Sequence, residues 1–378
     1  MVTFLLLLSA VLLLATSLLA IFRAPTHFLW IVTVGVTELG HYLAFICLGA
    51  AVVFATFPRL GKVAAIISAI AAVISFTPVI RASRTALTVG QQLREAFRNA
   101  PMPRSVPLIY SKMFSGVTLP ALKTERIKYS SVEGADLWLD FYHAQGRNPA
   151  PLVIAIHGGS WRGGDNQDFI GMDRYLAGRG FAVADIIYRL APKWKFPAPI
   201  EDVRAAIVFL QNDAGSLGID PNQIVLLGRS AGGQIALTAA YTARGPAIRG
   251  VISFYGPTDM YWDWDHPGNP EVIDTATNLR EYLGGRPSEV PSAYDAASPI
   301  RLVTASAPPT LLLHGGRDDL VSPVESARLS KRLTEAGVRN LNITLPWATH
   351  GFDYFVRGPG GQISAYAIEY FLEAVTRR

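Results

Sequence analysis

The chain has 378 residues, half of them hydrophobic and only 17% charged, with a mean hydropathy of +0.27, which is apolar for a soluble globular protein and points to membrane segments. The net charge of +5 comes from dispersed residues, and no basic face interleaved with stacking aromatics is present, so nucleic acid is excluded as an expected partner. A single cysteine, Cys47, excludes an intrachain disulfide and a cysteine metal cluster.

Charge divides the chain. From Met1 to Phe22 no side chain is charged, and about 20 apolar residues cross a hydrocarbon core. A second apolar stretch, Phe28 to Phe57, is broken by Glu38 and His41, and a third runs from Val63 to Ile80. Three transmembrane helices in contact with bilayer lipid are expected. The first lacks the basic residues that precede the apolar run of a signal peptide, so it reads as a retained helix. Glu38 and His41 share a helical face, and the expectation is that they lie near an interface and satisfy each other. Arg81, Arg84, Arg94, Arg98 and Arg104 form a positive flank. Within it, residues 81–99 read as a basic amphipathic helix on the membrane surface. Pro101, Pro103 and Pro107 mark a linker. The expected division is a membrane region at 1–105 and a second domain at 106–378.

From about Lys123 apolar runs of strand length alternate with helical periodicity. Strands are expected at 137–142, 152–156, 181–187, 224–227, 251–255, 310–313 and 341–345. Helices are expected at 199–210, 231–241, 324–336 and 364–375. Such alternation implies an α/β domain with a mainly parallel sheet covered on both faces. Active sites of these sheets lie at the carboxyl ends of the strands. The stretch 256–302 interrupts the rhythm and reads as an insertion that caps the site.

The chemistry-bearing motifs each follow a strand. Gly228-Arg229-Ser230-Ala231-Gly232 fits a nucleophile elbow, a turn so sharp that only small residues are tolerated two positions before and after the serine. His157-Gly158-Gly159-Ser160-Trp161 fits an oxyanion loop, because glycines bring backbone amides close to a carbonyl. The expected donors are Gly158, Gly159 and Ala231, with His157 structural. Asp318 and Asp319 compete for the acid, and Asp318 fits better by its distance from the strand end. His350 sits where the base belongs, after a late strand and before the last helix, ahead of His266 and His314. Trp161, Tyr261 and Trp262 are candidates for a substrate pocket, although the aromatics of the insertion serve equally as its own core. No metal-ligand spacing or phosphate-cradling loop is present, so no metal and no cofactor is expected.

With these residues in hand a resemblance is specific. His157-Gly-Gly-Ser-Trp161, Tyr188-Arg-Leu-Ala-Pro192, Phe196-Pro-Ala-Pro-Ile-Glu-Asp202, Gly218-Ile-Asp-Pro221 and Gly228-Arg-Ser-Ala-Gly-Gly233 resemble the esterase/lipase branch of the α/β hydrolases. That branch includes hormone-sensitive-lipase-like and feruloyl-esterase-like carboxylesterases. The resemblance runs from about Lys123 to the C-terminus and implies hydrolysis of a small-molecule carboxylic ester. The oxyanion loop is nearer the H-G-G-x-W of kynurenine formamidases and prenylcysteine methylesterases, which leaves ester against amide open. Acyl transfer and a non-catalytic membrane scaffold are the other readings. Arg229 stands where many relatives carry Asp; a pair with a carboxylate such as Asp202 is its expected role, with contact to an anionic substrate group as the alternative. A lipophilic substrate and a catalytic domain in the cytoplasm complete the expectation. No feature fixes an oligomeric state.

Overall fold

The computed structural model describes residues 2–98, 103, 105–116, 122–243 and 248–376. Pro101, Arg104 and the end of the expected 81–99 helix lie outside them.

Three apolar helices come first: α1 (Val2–Leu18), α2 (His27–Ala55) and α3 (Leu60–Ala96). Ala10 packs with Phe54 and Ala64 at one end of the bundle, and Leu19 and Ala20 pack with Val36 and Ile74 at the other. Consecutive helices are therefore antiparallel. Small polar residues let α1 and α3 approach, with Ser75 Oγ donating to Ser17 Oγ at 2.8 Å. The outer surface is apolar: Phe4, Leu12, Phe45, Ile46, Val52, Ile66 and Val73 are all exposed. Of the three, α2 and α3 are long and apolar enough to cross a membrane, while α1 has 17 residues.

α3 continues through Pro78 to Ala96 without a break, so the basic segment is not a separate surface helix. At 37 residues the helix is roughly 55 Å long, well beyond a hydrocarbon core of about 30 Å. The excess has a use. Ala82, Val89, Leu93 and Phe97 join the same buried cluster as Tyr366 and Phe371 of the last helix.

The short helix α4 (Tyr110–Ser115) leads into an eight-stranded sheet: β1 (Thr124–Val132), β2 (Ala135–Tyr142), β3 (Ala150–Ile156), β4 (Ala182–Ile186), β5 (Ile219–Arg229), β6 (Ile248–Phe254), β7 (Thr310–Gly315) and β8 (Asn340–Leu345). The strand order is β1-β2-β4-β3-β5-β6-β7-β8. The β1/β2 and β2/β4 pairs are antiparallel and all others parallel. This is the expected α/β-hydrolase sheet. β1 was not expected. It pairs with β2 across a two-residue turn, Glu133-Gly134, with both φ positive (51° and 76°), the geometry of a type I′ hairpin.

Helices α5 (Ile170–Gly178), α6 (Ala198–Asn212), α7 (Ala214–Leu217) and α8 (Ala231–Tyr241) connect the central strands, and α9 (Met260–Asp265), α10 (Thr275–Leu283), α11 (Pro291–Ala297) and α12 (Pro299–Leu302) make up the insertion between β6 and β7. α13 (Pro323–Glu335) and α14 (Pro359–Thr376) complete the chain. β3 and β4 are buried along their whole length, as strands covered on both faces must be. α8 is buried at every position, which its run of Ala and Gly permits by letting the helix lie close on the sheet.

Candidate active site

The expected catalytic and oxyanion residues all follow the carboxyl ends of strands, on one side of the sheet. Ser230 joins β5 to α8 with φ 54° and ψ −123°, a backbone conformation that side chains rarely adopt and that costs on the order of 1–3 kcal/mol. The turn is closed so tightly that a Cβ on Gly228 would fall 2.0 Å from Gly232 O, and one on Gly232 would fall 2.2 Å from Ile156 O. Glycine is therefore required at both places. The N-terminus of α8 lies behind the serine and favours negative charge there.

The loop after β3 approaches the elbow from the next strand. Gly159 adopts φ +113°, and both Gly158 and Gly159 line the same cavity as Ser230. His157 stays out of the chemistry: its ring stacks on Tyr188 with centroids 4.2 Å apart, and Nδ1 bonds Gly158 O at 2.7 Å. Burial lowers its pKa, so it is a neutral structural group.

Asp318 follows β7 and is buried. Its Oδ2 lies 2.7 Å from His350 Nδ1, while Oδ1 accepts from the backbone amides of Leu320 and Val321 at 2.9 and 3.0 Å. Burial alone would raise this carboxyl, but the charge and hydrogen bonds of His350 and His314 hold it well below the usual carboxylate range. His314, a rival for the base, sits near the end of β7, with Nε2 3.2 Å from Asp318 Oδ2 and Nδ1 2.7 Å from Ser326 Oγ. Asp319 turns the other way, accepting from Ala24 N at 3.1 Å and pairing with Arg23 at 3.3 Å.

Ser230 and His350 line one cavity of about 570 Å³. Among the described residues no hydrogen bond joins the two; in unliganded sites such bonds are often long and tighten with substrate. Arg229 is buried and donates through Nε to Asp353 Oδ2 at 2.6 Å. Its partner is therefore not Asp202, which instead binds Arg189 at 2.9 Å. Asp353 also accepts from Tyr255, whose ring lies 4.2 Å from that of His350. The pair thus ties the elbow to the histidine loop.

Two pocket candidates are displaced. Tyr261 donates to Pro291 O at 3.0 Å, and Trp262 stacks on His266 at 3.8 Å; neither lines the cavity, and both make these contacts within the insertion. Trp161 borders a separate crevice of about 20 Å³ beside Ser230, where its buried indole stacks on Tyr282 and donates to Gln234 at 3.0 Å.

The residues that sequence reasoning missed come from α2. His27, Trp30, Ile31, Val34 and Gly35 line the cavity. Nearby, Trp30 Nε1 donates to His350 O at 3.3 Å. Glu38 accepts from Trp347 Nε1 at 3.2 Å and Gly360 N at 2.7 Å, while His41 Nε2 meets Met113 O at 3.2 Å. Glu38 and His41 therefore do not satisfy each other. Before α2, Leu19 and Phe22 carbonyls accept from Arg317. The loops carrying Asp318 and His350 are both held by the N-terminal region.

Comparison with known proteins is consistent in kind. The BD-FAE family model matches residues 139–333. Esterase LipC of Mycobacterium tuberculosis is 34% identical over 246 residues, covering 61% of this chain and 59% of LipC. Carboxylesterase NlhH of the same species is 30% identical over 221 residues, covering 55% of this chain and 68% of NlhH. The chain thus spans little more than half of LipC's length. The solved structure of a bacterial heroin esterase superposes with a TM-score of 0.61 at 23% identity, over 78% of this chain and all of that one. That likeness concerns the fold.

Proposed function

The chain belongs to the BD-FAE family, and from that premise we propose that it is a membrane-bound serine hydrolase of lipophilic carboxylic esters. Ser230 Oγ attacks the ester carbonyl as His350 Nε2 takes its proton. The tetrahedral oxyanion is held by the amides of Gly158, Gly159 and Ala231. As it collapses, His350 returns the proton to the departing alcohol and the acyl group stays on Ser230. Water then repeats the sequence and releases the acid. Asp318 holds His350 in the tautomer with its proton on Nδ1 and stabilises the imidazolium.

The observation that carries this reading is the convergence of a fixed Asp318–His350 pair, 2.7 Å apart, with a strained serine in one cavity. The test is fluorophosphonate labelling followed by turnover of p-nitrophenyl esters, with an aryl formamide alongside. Labelling at Ser230 with faster ester turnover is expected. A folded protein that takes no label would overturn the assignment, and preference for the formamide would make it an amidase.

The membrane part of the proposal is a multi-pass anchor at 1–105, in which α1 crosses beside α2 and α3, joined to a hydrolase domain at 106–378 in the cytoplasm. The exposed apolar surface of all three helices supports it.

A further inference from the structure

One wall of the cavity above Ser230 comes from α2. His27, Trp30, Ile31, Val34 and Gly35 lie outside the matched stretch 139–333. Their spacing, i, i+3, i+4, i+7 and i+8, is one face of a helix. The lining also includes Val272, Ile273, Leu320 and Phe355. The cavity is therefore largely apolar, with Ser160, Asp168, Arg229, Ser230 and His350 as polar members of its lining. At about 570 Å³ it has the size of a cleft that encloses most of a small lipophilic ligand.

Its mouth is apolar too. Ile31 lines the cavity and is still 53% exposed; Phe28, one position past His27 on α2, is 70% exposed and Phe22 61%. Tyr354, another lining residue, is 56% exposed. Phe22 and Phe28 belong to the segment that joins α1 to α2 and to the first turn of α2. Large exposed apolar groups in that position are covered at low cost by the interfacial zone of a bilayer, and Trp30 and Tyr354 are residue types that settle at that depth.

We propose that the hydrocarbon chain of a long-chain ester enters this cavity sideways from the bilayer along α2, and that Trp30, Ile31 and Val34 set the chain length accepted. The inference rests on Ser230 being the nucleophile. Relative to ester free in water, each methylene held in the cavity favours binding about fourfold. Chain-length preference should therefore respond to substitutions on the cavity-lining face of the membrane helix.

The experiment uses the full chain in lipid nanodiscs with p-nitrophenyl butyrate, octanoate and dodecanoate. For the wild type, kcat/KM rises with chain length. Ile31→Trp and Val34→Trp narrow the cavity and lower the dodecanoate-to-butyrate ratio by at least about tenfold. Ile31 is half exposed, so its variant keeps the test usable if the buried Val34→Trp fails to fold, and fluorophosphonate labelling of Ser230 reports an intact elbow in each. A labelled variant with the wild-type ratio overturns the inference. Ser230→Ala separates the two layers: if it turns over esters at the wild-type rate, the nucleophile assignment itself has failed, whereas if it is dead while the ratios ignore α2, only the chain-length proposal has failed.

Discussion

Asp318 spends one carboxylate oxygen on His350 and the other on two backbone amides, whereas Asp319, one position on, is committed to Ala24 and Arg23. Asp318→Asn should lower kcat by about 10⁴, because the amide favours the wrong histidine tautomer. Asp319→Asn keeps an acceptor for Ala24 and should lose only a small fraction of that; steady-state kinetics on the two purified variants decides, and the reverse ranking would move the acid by one residue. A second pair of carboxylates makes a pH prediction. Asp173 on α5 and Asp185 on β4 are fully buried together. Burial raises both, Asp173 to about 6 and Asp185 well above the ordinary value, the latter helped by the charge of Asp173. An unfolded Asp releases its proton near pH 4, so between there and the raised values the folded chain binds more protons than the unfolded one. Stability contributed by this pair is thus present at low pH and lost as pH rises through 6 and beyond. Asp185→Asn keeps a hydrogen-bond donor for Asp173 without the titration, so its melting temperature in detergent should fall less between pH 5 and 8. A slope equal to the wild type would show that the pair is not protonated. Most of the site was legible at this scale, because an elbow and an oxyanion loop require glycine at fixed offsets. Arg229's partner was not, since Asp353 lies 124 residues away and no local pattern announces it.

Among elements, α2 has two employments. Its second half packs in the apolar bundle, and its first half docks on the loop after β8, while the residues just before it hold the loop after β7. Glu38 is the anchor of that docking, buried with Trp347 Nε1 and Gly360 N as its donors. Glu38→Ala would leave both buried donors without a partner, at about 1–3 kcal/mol each. The expected outcome is a lower melting temperature together with a reduced kcat, since Trp347 lies three residues before His350. Glu38→Gln, which retains an acceptor oxygen, should restore most of both. Loss of stability with kcat untouched would make Glu38 a structural residue only. The sequence could not reveal this docking, because a helix that is apolar nearly all round shows no preferred face. Glu38 and His41 stood out as polar residues within it, but their partners lie 322 and 72 residues away. β1 escaped notice for the opposite reason. Thr124–Val132 is a half-exposed edge strand with a single buried position, so it lacks the apolar run that marks the interior strands. Where a strand is buried on both faces, as β3 and β4 are, its range was read to within two residues at either end.

At the scale of the whole molecule, the antiparallel bundle determines which charges share a side. The start of α1 and the α2–α3 turn lie at the end away from the sheet, because Ala10, Phe54 and Ala64 meet there. Residues 20–26 and the last third of α3 lie at the sheet end, with Leu19, Val36 and Ile74 marking the level. The far end carries Arg59 and Lys62, and the near end Arg23, Arg81, Arg84, Arg94 and Arg98. Short flanks rich in Lys and Arg remain in the cytoplasm, so the count of five against two predicts that the sheet end lies there. Arg23 has a further reason to stay on that side, since it pairs with Asp319 beside the proposed acid. Loss of α1 would not change the outcome, because α2 and α3 alone return the chain to the same face. A fluorescent protein that matures only in the cytoplasm, fused after Arg378, should therefore glow in cells, and alkaline phosphatase at the same position should stay inactive. Active phosphatase with a dark fluorescent partner would mean that the hydrolase domain is exported, and that docking of the N-terminal region on the Asp318 and His350 loops is completed outside the cytoplasm.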